Sequence, residues 1–145
     1  VEVDDLHCTL LHAVGLSNVD KAAVGAPCVL TYDRPAVGNV AVEISGWPSH
    51  PFKEIVETLT QVMERRFGPF KSAQSRYPHI SLAYTTSGAE DIDATDLKAA
   101  LAAIGQPLSG TVLMDRLHLV EQWHDGARIT WTPIAEVALT GEVPA

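Results

Sequence analysis

Between residues 39 and 68 the spacing of apolar residues changes from two to about 3.6, which limits the chain to a fold that mixes sheet with helix. Residues 39–45 alternate. Val40, Val42 and Ile44 share one side, and Ala41 and Glu43 share the other, as in a strand with one face on a core. After Pro51 the period lengthens: Phe52, Ile55, Val56, Leu59, Val62 and Met63 form one apolar stripe, the core-facing side of a helix. Pro51 suits the first helical position, where a missing N–H costs no hydrogen bond, and Gly68 followed by Pro69 stops the helix.

The rest of the chain divides in the same manner. Residues 6–13, 28–33, 79–84 and 111–122 read as strands, rich in Val, Leu, Ile, Thr and Tyr. Residues 17–23 read as a short helix, 34–38 as a turn or bulge, 71–77 and 85–90 as loops. Asp93 is placed to cap a second helix that carries Leu97, Ala100, Leu101 and Ile104 on one face and ends at Gly105 and Pro107. His124-Asp125-Gly126 reads as a hairpin turn, with returning strands at 128–133 and 135–139. Strands joined by hairpins and by helices predict a single α+β domain over residues 1–145.

One pattern occurs twice. His7-Cys8-Thr9-Leu10 and His79-Ile80-Ser81-Leu82 each read His, any residue, hydroxyl, Leu, and each lies in a predicted strand. Side chains two apart in a strand share a face, so each His shares a side with its hydroxyl. An imidazole, with an ordinary pKa of about 6.5, gives or takes a proton near neutrality. Two of them across a phosphodiester divide the work: one draws a proton from the attacking oxygen, the other protonates the leaving oxygen. The hydroxyls of Thr9 and Ser81 donate to phosphate oxygens as charge builds there. Such a site needs no cofactor and no metal, and Thr and Ser are poor zinc ligands. A single His in a strand is more often structural, and it is the repetition that favours chemistry.

Net charge narrows the substrate. The chain carries −8, with ten basic residues scattered along it, whereas a grip on an extended duplex needs a basic face. A cyclic nucleotide or an RNA end is the expected ligand. Tyr77 shares a face with His79 and is a candidate to stack on a base, with a core or rim position as its alternative. Arg76 is a candidate to attract phosphate, or a solvated cation. Tyr84 and His12 fall on the faces opposite the motif histidines, Tyr84 towards the core. His118 lies in a strand beside Arg116, either lining a cleft or structural, and Trp123 and His124 flank the hairpin turn at the surface or a rim. Cys8 and Cys28 read as buried thiols in a reducing cytoplasm, with a disulfide between neighbouring strands as the other reading. No apolar run approaches the length of a membrane span, and no membrane association is expected.

These residues carry a resemblance. His7-Cys8-Thr9-Leu10 and Pro78-His79-Ile80-Ser81-Leu82 look like the two signatures of the two-histidine (2H) phosphoesterases, above all the 2′-5′ RNA ligase-like proteins. Asp33-Arg34-Pro35-Ala36-Val37-Gly38, Ser81-Leu82-Ala83-Tyr84 and Leu119-Val120-Glu121-Gln122-Trp123-His124 running to Trp131 extend it over nearly the whole chain. The resemblance implies two lobes, antiparallel sheets flanking a central cleft with helices outside. It implies metal-independent cleavage of 2′,3′-cyclic phosphates, or 2′-5′ ligation. It assigns catalysis to His7 and His79, and substrate binding to Thr9 and Ser81. The family also has a strand and a helix before the first motif, whereas six residues precede His7 here and the chain begins at Val1. That piece is expected to have been removed, to be absent from this sequence, or to be replaced by a strand of another chain, and in the last case an open sheet edge invites a homodimer. The alternative function is a binding module for nucleotides or RNA ends, with a cleft but no turnover.

Overall fold

In the computed structural model, residues 7–12, 25–38, 41–69, 73–85, 91–104, 108–125 and 128–142 are described. The helix expected from the apolar stripe is α1, Ser49–Phe67, which starts two residues before Pro51. Pro51 is thus the third helical residue, still within the first turn, whose N–H groups have no intrahelical acceptor. Gly68 ends the helix with φ 77°, and its N–H donates to the Glu64 carbonyl at 2.8 Å. A positive φ of this kind is open to glycine without steric cost. Arg65 and Arg66 stand in the last turn, where the helix dipole favours positive charge.

The strands are β1 (Leu11–His12), β2 (Cys28–Val37), β3 (Ala41–Trp47), β4 (Ala73–Gln74), β5 (His79–Tyr84), β6 (Gly110–Met114), β7 (Arg116–Asp125) and β8 (Arg128–Ala138). The second helix, α2, covers Ala94–Ala102. All described pairings are antiparallel. β5-β3-β2-β6 form a four-stranded sheet, β7 pairs with β8, and β1 pairs with β4. The α+β expectation therefore holds at the level of antiparallel sheet with two helices. The short helix expected at 17–23, and the closing glycine and proline of α2, lie outside the described residues.

Alternation decides which face of the four-stranded sheet is covered. Cys28, Leu30 and Tyr32 of β2 point to α1 and are buried with Phe52, Ile55 and Val56. Ile44 of β3 and Ile80 of β5 pack against the same cluster. Leu117 and Leu139 join it from the base of the β7–β8 hairpin, where Leu139 N–H donates to the Asp115 carbonyl at 2.8 Å. The opposite, outer face of the sheet carries Glu43, Ser45, His79 and Ser81. Ser45 sits directly across from His79, and Glu43 across from Ser81.

Three expectations are corrected. Of the two readings of 34–38, turn or bulge, the turn is excluded: β2 runs on to Val37, and a bulge lies between Tyr32 and Arg34. Pro35 is tolerated there because β6 accompanies β2 only as far as Tyr32, leaving the later part an edge. The long strand expected at 111–122 is two strands. β6 ends at Met114 and pairs with β2, while β7 leaves at Arg116 to pair with β8 along its whole length. The apolar run Val112-Leu113-Met114 gives way there to the charged pair Asp115-Arg116, and this pair marks the break between the two strands. Finally, Ile104 and Tyr84 are exposed, not buried on the faces expected for them.

Candidate active site

The two His-x-hydroxyl segments are neighbours in the fold. Residues 7–10 run beside the chain that leads into β5. Ser75 N–H donates to the Leu10 carbonyl at 3.1 Å, and the Ser75 hydroxyl donates to the Thr9 carbonyl. The Cys8 thiol turns inward and meets the hydroxyl of Tyr32 and the backbone of His79. Cys8 and Leu10 pack against the core cluster, but the strand expected over residues 6–13 is only β1, Leu11–His12, so the first motif precedes the strand and period-two geometry does not apply to it. Ile80 packs inward in the same way and turns His79 and Ser81 outward. His79 and Ser81, two apart in β5, thus share the side away from the core, as the spacing predicts for a strand.

Each imidazole has a defined neighbour. His7 meets the Trp131 ring of β8 edge-on, with centroids 4.6 Å apart and planes at 85°. His79 Nδ1 lies 3.1 Å from the Tyr77 carbonyl. A carbonyl only accepts, so this contact requires the proton on Nδ1 and leaves Nε2 with the free lone pair in the neutral ring. The Tyr77 ring stands 5.2 Å from the His79 ring, and its hydroxyl donates to Glu43 Oε1 at 2.7 Å. That bond is the first cause pushing the Tyr77 phenol above its ordinary value, with burial and the Glu43 charge adding to it.

Of the other sequence candidates, Arg76 is exposed in the bend before β5. His118 Nδ1 lies 3.5 Å from Glu136 Oε2, and Arg116 reaches the other oxygen at 3.2 Å. His12 and Trp123 are exposed. Cys8 and Cys28 are both free, so the disulfide reading is set aside.

Sequence reasoning missed three residues on this face. Arg34, assigned to a turn or bulge, lies on β2 opposite Ser45, in the same cross-sheet row as His79. Its side chain is 67% exposed, 3.6 Å from Asp33. Glu43 was placed on the correct side of its strand, but only the β3–β5 register puts it across from Ser81. Trp47 ends β3 on the outer face, because Gly46 beside it turns to the core. A Cβ on Gly46 would lie 2.9 Å from the Tyr32 ring. The exposed indoles and carboxylates gave no periodic signal of their own.

The buried thiols and phenol tie this region to pH. Burial pushes Cys8 above its ordinary 9.0, outweighing the hydrogen bonds from Tyr32 and from the His79 backbone that act the other way. Cys28 is raised by burial as well, and Tyr32 by burial first and then by Cys8. These groups keep their protons in the folded chain at a pH where the unfolded chain releases them. Their stabilisation is complete below about pH 9 and is lost as pH rises above it. The urea midpoint is expected to fall between about pH 8 and about pH 10.5, and to fall less in Cys8→Ser. An equal fall in both proteins would remove Cys8 from this account.

Among the described residues no group of three or more His, Cys, Asp or Glu side chains is placed to hold a metal ion. No described helix is long and apolar enough to cross a membrane. No protein-family model, no curated protein and no solved structure matches this chain.

Proposed function

We propose that this protein is a metal-independent phosphoesterase of the two-histidine type, acting on 2′,3′-cyclic phosphates of nucleotides or RNA ends. The observation that carries the reading is the meeting of the two His-x-hydroxyl segments: Cys8 of the first touches the His79 backbone of the second. Both segments pack apolar members, Cys8 and Leu10 of the first and Ile80 of the second, against the same core, and this supports reading their polar members as one site.

His79 is the base. Its Nδ1 is engaged by the Tyr77 carbonyl, so Nε2 is the atom free to take a proton from water. His7 is the acid that protonates the leaving ribose oxygen. Its ring packs edge-on with Trp131. Thr9 and Ser81 supply hydroxyl donors to the non-bridging oxygens, and Arg34 and Arg76 supply positive charge on an otherwise acidic chain. The attack of water on phosphorus forms one P–O bond and breaks one P–O bond to the ribose. The proton taken by His79 is matched by the proton given by His7. The fold that goes with this reading has two lobes about a central cleft, with β5-β3-β2-β6 as one sheet and the β7–β8 hairpin bringing Trp131 to the other wall.

The test is a product assay on adenosine 2′,3′-cyclic phosphate with a chelator present. Formation of a 2′- or 3′-monophosphate, undiminished by the chelator, is the expected result. Tight binding of the nucleotide without product would favour the binding-module reading instead.

A further inference from the structure

We propose that Trp47 is the floor of a nucleobase subsite beside His79. This inference rests on the phosphoesterase reading, because it takes the phosphate to lie at His79.

The geometry comes from the β3–β5 register. Ser45 lies opposite His79, and the pairing continues one step further, where Gly46 N–H donates to the Pro78 carbonyl at 2.7 Å. The next position on β3 is Trp47, so its backbone falls beside that of Tyr77, whose ring leans the other way, over His79 towards Glu43. Two residues along a strand span about 6.8 Å and neighbouring strands lie about 4.8 Å apart, so the Trp47 and His79 backbones are roughly 8 Å apart. A ribose fits between a phosphate held at one and a base held at the other.

The two aromatic rings are open to a ligand. Trp47 is 43% exposed and Tyr77 42% exposed, both on the face that α1 leaves uncovered. Exposed rings on a sheet face cost solvation unless something holds or uses them, and both are held by carboxylates. The Trp47 Nε1–H donates to both Asp33 oxygens at 3.1 Å, and the Tyr77 hydroxyl donates to Glu43. Asp33 is the extra residue of the β2 bulge, which places its carboxylate at the indole edge. The bond fixes the ring through its edge and leaves its face free. A base stacks on such a face through its own π surface. The acidic rim disfavours a second phosphate here while accepting N–H donors from a base edge.

Calorimetry with adenosine 2′,3′-cyclic phosphate, and with the same cyclic ribose phosphate lacking a base, tests this. The wild-type chain is expected to bind the base-containing probe about 5- to 150-fold more tightly, the equivalent of about 1–3 kcal/mol for one stacked base. Trp47→Ala is expected to erase that difference and to leave the base-free probe unchanged. Trp47→Phe keeps a ring but cannot donate to Asp33, and is expected to retain most of the preference. Equal binding of the two probes by the wild type overturns the subsite, as does a Trp47→Phe loss as large as that of Trp47→Ala. Product formation without base preference removes the subsite and leaves the phosphoesterase reading standing. Base preference without product removes the catalytic reading and leaves the subsite standing.

Discussion

Turnover of a 2′,3′-cyclic nucleotide is expected to fall by about 10²- to 10⁴-fold in His79→Ala, and by a similar factor in His7→Ala. Each substitution removes one half of a proton relay. Without His79, water must attack without a base to take its proton. Without His7, the ribose oxygen must leave as an alkoxide. The wild-type rate is expected to follow a bell-shaped pH profile, and each variant to lose the limb that its imidazole supplied. Because the two groups act as a unit, the double variant should be little worse than either single one. The half-buried positions of both rings leave the core untouched, so thermal midpoints should change little. Turnover within a few-fold of wild type in either variant, with the fold intact, would refute the assignment.

The largest effect on stability is expected at Phe52. Its side chain is 0% exposed, among Leu30, Tyr32, Ile55 and Val56, where α1 meets β2. Phe52→Ala removes most of a ring from a site enclosed by a helix and a sheet, and such sites collapse only partly. The loss is expected to be about 3–5 kcal/mol, a large part of the about 5–15 kcal/mol that holds a domain of this kind together. Urea unfolding should show the midpoint moving down with an unchanged slope, and Phe52→Leu should lose much less. A shift of under about 1 kcal/mol in the alanine variant would mean that α1 does not anchor the sheet as described.

The α1–sheet unit was legible in sequence because its signals are local. The stripe from Phe52 to Met63, the stop at Gly68 and the alternation around Ile44 each depend on residues a few positions apart. The Asp93 cap of α2 was legible for the same reason, and its carboxylate accepts from Thr95 N–H at 2.7 Å. Where a strand's neighbour changes, local signals stop helping. Nothing in residues 110–125 shows that β6 belongs to one sheet and β7 to another, because that depends on which distant strand each one meets. Pro35 looked like a turn residue and lies in a strand, because β6 ends before reaching it.

The site divides along the same line. Sequence alone determined the two His-x-hydroxyl segments, and period-two geometry determined that His79 shares a side with Ser81 in β5. Only the tertiary structure decided that the segments adjoin, that Trp131 from the last hairpin meets His7, and that Tyr77 holds His79 through its carbonyl. Only the register of β2, β3 and β5 decided that Arg34, Glu43 and Trp47 share the face with His79. The physical reason is that a side chain's direction along a strand is a local property of the backbone. Its neighbours across the sheet are set by hydrogen-bonded register and by burial of the whole core, to which residues far apart in the chain contribute together.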